Sequence, residues 1–329
     1  MTAALLLVGL LVFALGSCSF TSGDQPGESG PTAVSSPSAD ATPTKAKPKP
    51  AVLIAVGDIA CDPTSPYFTG MPGFCEQEKV GHLVGRLVDA GADWFVPLGD
   101  DQYESGQYSA FKQVYDKAFG AFKKITEPVA GNHEWVTPRA AGYFRYFGAR
   151  AGTAHKPWRS FSPGPGWRVL LLDSNCEFVG GCGPDSRQGR WIKETLARSK
   201  AQCVIAAWHH PLRTSGEYAG IADSYERAAQ LWPIVARGGG DIVLNGHDHL
   251  YERFRKFDGV KQFTVGTGGK NPNEITTKAP GSQRAISHRY GVLKLTLFDD
   301  GRYRYAFVAT DGHVLDSGAE RCTNAPSRG

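Results

Sequence analysis

The sequence predicts an α/β domain built on β-sheets with helices outside them, and three observations carry that expectation. From Ala51 onward, short apolar runs alternate with segments of helical period. Several of those runs stop at a glycine followed by Asp, Asn or His. A late stretch, residues 261–309, alternates in the manner of antiparallel strands.

Ala51-Val52-Leu53-Ile54-Ala55-Val56 reads as a buried strand ending at Gly57-Asp58. Residues 76–90 place Val80, Leu83, Val84, Leu87 and Val88 at helical spacing, and residues 94–98 form the next strand, ending at Gly99-Asp100. A helical stretch through Phe111, Val114, Tyr115 and Phe119 leads to a third strand over 125–130, which ends at Gly131-Asn132-His133-Glu134. After an aromatic, Gly/Pro-rich region over 143–167 come a strand over 168–173 and a helix over 188–199 with Trp191, Ile192 and Leu196 on one face. A strand over 203–208 runs into His209-His210-Pro211. A helix over 222–236 then connects to the strand 241–244 and to Asn245-Gly246-His247-Asp248-His249. Residues 261–265, 291–298 and 302–309 are predicted as antiparallel strands, the last two joined by the hairpin signal Asp299-Asp300-Gly301. No internal repeat divides this region.

At 329 residues, with 41% hydrophobic and 21% charged residues, the chain has the composition of a globular protein with a sizeable core. Lys+Arg 36 against Asp+Glu 32 leaves a formal net charge of +4 with no basic stripe, so no nucleic acid is expected as a partner. Residues 3–15 form an apolar run of signal-peptide length, too short to span a bilayer. Leu15-Gly16-Ser17-Cys18 resembles a bacterial lipobox, so residues 1–18 are expected to be a signal peptide with Cys18 as a lipid anchor, the sole membrane attachment. Residues 19–50, rich in Pro, Ser and Thr, bury too little apolar surface to offset chain entropy and read as a disordered tether. The folded domain is expected over 51–329, exported to the outer face of a bacterial membrane or secreted. Besides Cys18, six cysteines remain, an even number that suggests disulfides in an exported chain. Sequence does not determine their pairing. Cys61 with Cys75 and Cys176 with Cys182 would each close a Gly/Pro-containing loop, leaving Cys203 with Cys322 to staple the C-terminal tail to a strand.

The strand ends together supply Asp58, Asp100, Asn132, His209, His247 and His249, with Tyr103 three residues past Asp100. Ligands collect at the carboxyl ends of strands in α/β sheets. One Gly-Asp, or one His-x-His, is ordinary turn chemistry; five such sites ending five apolar runs are not. Carboxylates, imidazoles and an amide oxygen suit two cations, roughly 3.5–4 Å apart, that stabilise both the attacking and leaving oxygens of a displacement at phosphorus. Such a site needs a bridging carboxylate and a histidine, itself not a ligand, that protonates the leaving alkoxide.

Gly57-Asp58, Gly99-Asp100-x-x-Tyr103, Gly131-Asn132-His133-Glu134, His209-x-Pro211 and Gly246-His247-x-His249, in that order, resemble the calcineurin-like metallophosphoesterases, and Tyr103 points to their purple acid phosphatase branch. The resemblance spans about residues 51–254, with Tyr251-Glu252-Arg253 following the last motif. It implies a sandwich of two mixed β-sheets flanked by α-helices. It also implies a secreted binuclear-metal enzyme, acid phosphatase-like, that hydrolyses small-molecule phosphomonoesters by attack of a metal-bound hydroxide on phosphorus. Carried onto this chain, Asp58, Tyr103 and His249 would bind the first metal, Asp100 would bridge, and Asn132, His209 and His247 would complete the second site. His133 would be the proton donor or a phosphate contact. A tyrosine ligand implies ferric iron at the first site, with zinc, iron or manganese at the second.

The chain also departs from the family pattern. Ala60 stands where the family has glycine in Asp-x-Gly. Where plant-type relatives place paired histidines about ten residues after His-x-Pro, this chain has Gly216-Glu217-Tyr218-Ala219, so His210 and Arg213 are the nearest candidates for substrate binding. Asp101, Glu134, Asp248 and Glu252 are expected to hold loops, and His82, His155, His288 and His313 to be surface or structural residues. Two other readings remain: a phosphodiesterase acting on nucleotides or phospholipid headgroups, and a surface binding protein without catalysis. The complete ligand set weighs against the second.

Overall fold

A computed structural model of the chain describes residues 48–68 and 73–323. The expected signal peptide, the lipobox and all but the last residues of the tether lie outside the described residues. Among the described residues no helix is long and apolar enough to cross a membrane.

Two sheets face each other. In the five-stranded one, β1 (Ala51–Val56) lies between β10 (Gly291–Leu297) and β2 (Trp94–Pro97), and β11 (Arg302–Ala309) and β12 (Val314–Arg321) follow β10 toward the edge. β1 and β2 are parallel; β1, β10, β11 and β12 pair antiparallel. The seven-stranded sheet runs β3 (Arg159–Phe161), β4 (Trp167–Leu171), β5 (Cys203–Ala207), β6 (Ile242–Asn245), β8 (Lys261–Val265), β7 (Tyr251–Phe254), β9 (Ser282–Ile286). Its centre, β4-β5-β6-β8, is parallel. Strands covered on both faces must be apolar throughout, which is why β1, β5 and β6 read as unbroken hydrophobic runs and are buried almost end to end. The two inner faces share one core: Tyr251 of β7 stacks on Phe307 of β11 at 4.2 Å between ring centroids, and Phe263 of β8 lies 5.2 Å from Tyr305.

The helices lie where apolar residues recur at helical spacing. Gln77–Asp89 buries Val80, Leu83 and Val84. Arg187–Arg198 is started by Ser186, whose hydroxyl accepts from Gly189 N at 2.9 Å, and buries Ile192 and Leu196. Ala222–Arg237 continues through Pro233.

Two expectations need correction. Residues 125–130 do not form a strand; they touch the edge of β2 through the isolated parallel bridges Phe95↔Thr126 and Leu98↔Val129, and Pro128 between them has no N–H to continue a ladder. β8 does not join the antiparallel run of β10 and β11; in the other sheet it pairs antiparallel with β7 and parallel with β6. The short strands β3, β7 and β9 had no clear periodic signal. The cysteines pair as Cys61–Cys75, Cys176–Cys182 and Cys203–Cys322. The last closes a sequence separation of 119 residues, for which chain entropy alone predicts about 5 kcal/mol of stabilisation.

This arrangement brings the carboxyl ends of β1 and β2 from one sheet against those of β5, β6 and β8 from the other. The seam is hydrogen-bonded: Gly57 N donates to Val265 O at 2.8 Å, and His209 Nδ1 donates to Leu98 O at 2.8 Å.

Candidate metal centre

Three of the predicted ligands sit where the chain leaves a strand with a left-handed backbone: Asp58 (φ 59°), Asp100 (φ 50°) and His247 (φ 72°). Non-glycine residues adopt this conformation at a cost and keep it only when their surroundings enforce it. Here the surroundings are backbone in close approach. A Cβ on Gly131 would fall 2.1 Å from Asp100 Oδ1, and one on Gly99 would fall 2.6 Å from Gly131 N. Ala60 is accommodated: it forms a bridge with Gln102, and its N–H donates to Asp101 O at 3.1 Å.

The donor atoms fall into two groups. In the first, Tyr103 Oη donates to Asp58 Oδ1 at 2.9 Å and lies 3.0 Å from His249 Nε2, which is 3.4 Å from Asp58 Oδ1. Ligands held about 2.0–2.2 Å from one ion at right-angled to tetrahedral separations sit about 3 Å apart, so these three atoms fit one coordination sphere. In the second, Asp100, His209 and His247 each offer an atom within 4.8 Å of the others. His209 Nε2 lies 3.2 Å from Asp100 Oδ2, and neither it nor the buried Asn132 Oδ1 has a hydrogen-bond partner among the described residues. Buried polar atoms without partners are costly, and an ion is the kind of partner that would satisfy both. The residues present therefore fit two metal ions.

Ring orientation is fixed from behind. His209 Nδ1 lies 2.8 Å from Leu98 O and His249 Nδ1 2.6 Å from Asn271 O. A carbonyl only accepts, so each Nδ1 carries the proton and each Nε2 is left to coordinate. His247 N donates to Asp58 Oδ2 at 2.8 Å, tying the two groups together. Glu134 organises the loops beneath: its carboxylate accepts from Gly131 N at 2.7 Å, Asp100 N at 2.9 Å and Gln102 N at 3.2 Å. Asp248 accepts from Thr214 Oγ1 and Asn273 Nδ2, and Glu252 from Ser215 N at 2.8 Å. Asp101 is also buried, but neither of its oxygens has a hydrogen-bond partner among the described residues.

Electrostatics follow from burial and these pairs. Burial works against the Asp100 carboxylate, but the His209 and His133 imidazoles outweigh it and hold its pKa well below the usual range. Burial likewise opposes a charge on His209, and Asp100 overrides it, raising that pKa to about 9. His247 is pushed well down by burial and by His209, which leaves a neutral imidazole of the kind metals bind. Burial and the Asp100 and Asp58 carboxylates push Tyr103 well up, so without an ion it is a neutral phenol.

His133 differs from the ligands in being accessible, with 27% of its side chain exposed. Its N–H donates to Asp100 Oδ1 at 2.9 Å, and its Nδ1 lies 2.6 Å from Glu104 O, so Nε2 is free on the open side of the site, 3.8 Å from Asp100 Oδ2. The two substrate-binding candidates lie elsewhere. His210 is buried, with Nδ1 2.7 Å from Ser174 Oγ and its ring 4.4 Å from that of His247. That places it behind a ligand rather than on the open side. Arg213 stacks on Phe257 at 3.7 Å.

Sequence reasoning passed over two residues at the rim. The Tyr218 ring lies 4.0 Å from that of His247. Lys270 donates its N–H to Asp58 O, extends its ammonium over the Tyr103 ring at 4.2 Å and pairs with Glu104. Thr267-Gly268-Gly269 preceding it was the available signal, and that turn does bring backbone to the site, with Gly268 N donating to Gly57 O at 2.9 Å.

The calcineurin-like phosphoesterase family profile matches residues 51–251, and the chain belongs to that family of metal-dependent phosphoester hydrolases. Within it, the chain is similar to tartrate-resistant acid phosphatase type 5 of Rattus norvegicus, at 25% identity over 66% of this chain and 72% of the relative. It is also similar to purple acid phosphatase 17 of Arabidopsis thaliana, at 34% identity over 27% of this chain; there the match takes in only 28% of the relative's length. The purple acid phosphatase from yellow lupin (Lupinus luteus) seeds shares the fold with a TM-score of 0.66 at 18% identity, over 82% of this chain and 53% of that one. A dimetal phosphatase from Danio rerio does so at 0.58 and 16% identity, over 84% of this chain and all of the other.

Proposed function

We propose that the chain is a binuclear-metal phosphomonoesterase of the purple acid phosphatase type. The observation that carries the reading is the pairing of two donor groups, Asp58/Tyr103/His249 and Asp100/Asn132/His209/His247, beside one accessible histidine. Two ions held there would supply charge stabilisation at phosphorus and a water acidic enough to attack it near neutral pH. The rest belongs to the protein. Asp100, whose charge is felt by Tyr103 and His249 of the first group as well as by His209, would bridge the two ions. His133, fixed by Nδ1 on Glu104 O, presents Nε2 as the group that would protonate the departing alkoxide. Glu134 keeps the Asp100 and Asn132 loops in register.

Ferric iron at the Tyr103 site, with zinc, iron or manganese at the other, agrees with the phenol's place among the donors. Three disulfides agree with an exported domain over residues 51–329, tethered through 19–50 to a lipid on Cys18. The test is metal analysis of the purified protein together with rates on matched phosphomonoesters and phosphodiesters. Two ions per chain, faster monoester turnover and a visible charge-transfer band abolished by Tyr103→Phe are expected. A protein that takes up no iron, zinc or manganese would overturn the reading, and a preference for diesters would replace it with the phosphodiesterase one.

A further inference from the structure

We propose that Lys270 is a positioning residue for the first donor group: its ammonium, fixed over the face of the Tyr103 ring, sets how strongly the phenol oxygen binds an ion. The inference rests on Tyr103 being a ligand and adds to that site a residue that acts through it. The ammonium lies 4.2 Å from the ring centroid, on a side chain that is 17% exposed, and the ring is buried. A cation in that position is attracted to the negative face of the ring, and the more so once the phenol has given up its proton to an ion. It therefore stabilises the bound phenolate and draws electron density away from the oxygen. An ammonium over the ring face is nearer the ring than an ion held beyond Oη, so the phenolate feels its charge more than the ion does.

One loop builds this arrangement. Gly268 N donates to Gly57 O at 2.9 Å, and a Cβ on Gly269, at φ 146°, would fall 2.5 Å from Ile59 O, so the glycines bring the loop directly against the turn that carries Asp58. Lys270 N then donates to Asp58 O at 3.0 Å, and the next carbonyl, Asn271 O, accepts from His249 Nδ1 at 2.6 Å. Lys270 and Asn271 together thus reach all three donors of the first group. The ammonium is kept in place by the Glu104 carboxylate, while Glu104 O faces His133 Nδ1 at 2.6 Å. Glu104 therefore fixes Lys270 through its side chain and His133 through its backbone. The Glu104 side chain is 50% exposed, so water screens its charge more than that of Lys270, and the pair leaves a net positive field on the ring.

The test loads metal-free protein with ferric iron and compares the phenolate charge-transfer band, iron content and turnover in wild type, Lys270→Gln, Lys270→Arg and Glu104→Gln. Lys270→Gln should move the band to longer wavelength, because a phenolate without the cation gives up charge more readily. It should also lower kcat about tenfold at unchanged iron content, because a more strongly donating phenolate leaves the ion less positive. Lys270→Arg, which keeps a cation on the ring, should hold both close to wild type. Glu104→Gln removes the counter-charge while its amide oxygen still accepts from the ammonium, so the band should move to shorter wavelength. A merely structural role for Lys270 gives no such pair of opposite shifts. A band that stays in place in Lys270→Gln, or moves the same way in Lys270→Gln and Glu104→Gln, would overturn the proposal and leave Tyr103 a ligand. Should Lys270→Gln fail to fold, an unmoved band in Glu104→Gln has the same force. A wild type that binds no ferric iron, or binds it without a band, would remove Tyr103 from the ligands and the proposal with it.

Discussion

The two donor groups of the metal centre solve the same problem differently. In the first, Asp58, Tyr103 and His249 satisfy one another: the phenol donates to the carboxylate and the imidazole faces both. In the second, His209 Nε2 faces the Asp100 carboxylate at 3.2 Å, Asn132 Oδ1 is buried with no hydrogen-bond partner among the described residues, and His247 is held neutral. The first group is therefore a hydrogen-bonded cluster that an ion must enter by displacing the phenol proton. The second pairs His209 with Asp100 but leaves the Asn132 amide oxygen, whose burial is offset only when something binds. Without ions, the first group satisfies its own donors while the second keeps that oxygen unpaired.

Asp100 is the proposed bridge between the groups, and its loss should have the largest effect. Asp100→Asn is expected to lower metal content at both sites and turnover by about three orders of magnitude or more, read by metal analysis and steady-state rates. Retention of one ion would show that the groups are independent. Next, His133→Ala should reduce kcat by about 10²–10⁴-fold while both ions remain, because its Nε2 lies 3.8 Å from Asp100 Oδ2, beyond hydrogen-bond reach, on a side chain that is 27% exposed. Smaller again is Glu134→Gln, expected to weaken metal affinity about 10- to 100-fold through the loops it holds, without emptying either site at saturating metal.

A pH effect tests the scaffold behind the second group. Burial raises the Asp173 carboxyl to about 6, although it accepts from Asn175 and Trp135. The folded state then binds a proton that the unfolded chain, near 3.8, has released. The stabilisation is complete below about pH 4 and is lost as pH rises through about 6, of order 2–3 kcal/mol for this group. Denaturant melts of metal-free protein across that window should show the slope in wild type and its absence in Asp173→Asn.

Most of the candidate ligands were legible because they follow a buried strand, where a break from apolar residues to Gly-Asp or Gly-His is a local signal; Asn132 follows a stretch that is apolar but forms only isolated bridges. Asp58 and Asp100 follow Gly57 and Gly99 directly, and the left-handed turn that aims them is built within two or three residues. Tyr218 and Lys270 had no such signal. They reach the site on loops whose partners lie far away in sequence, Lys270 against Asp58 and Glu104, and a loop's destination depends on the assembled sheets. The same reason hid β9, whose residues are mostly half-buried or exposed and alternate weakly. It also made residues 125–130 look like a strand, since their apolar content is real but Pro128 interrupts the ladder. Arg213 was picked by its distance from His209 along the chain, which is no guide to where a guanidinium ends up once it stacks on Phe257.

The smallest effect bears most directly on the contrast between the groups, because it has opposite signs in the two. Tyr103→Phe removes a phenol that bonds Asp58 and contacts His249, so the metal-free protein should lose about 1 kcal/mol of stability. Asn132→Leu replaces an amide whose buried oxygen has no partner with an apolar side chain of similar length, so the same protein should keep its stability or gain up to about 1 kcal/mol. Adding metal should reverse the order for Asn132→Leu alone if the second group needs the ion more, because the wild type then gains a ligand bond that the variant cannot make. Paired thermal melts with and without metal measure both differences. Equal destabilisation by the two substitutions in metal-free protein would mean that Asn132 finds a partner there, and that the two groups are satisfied alike.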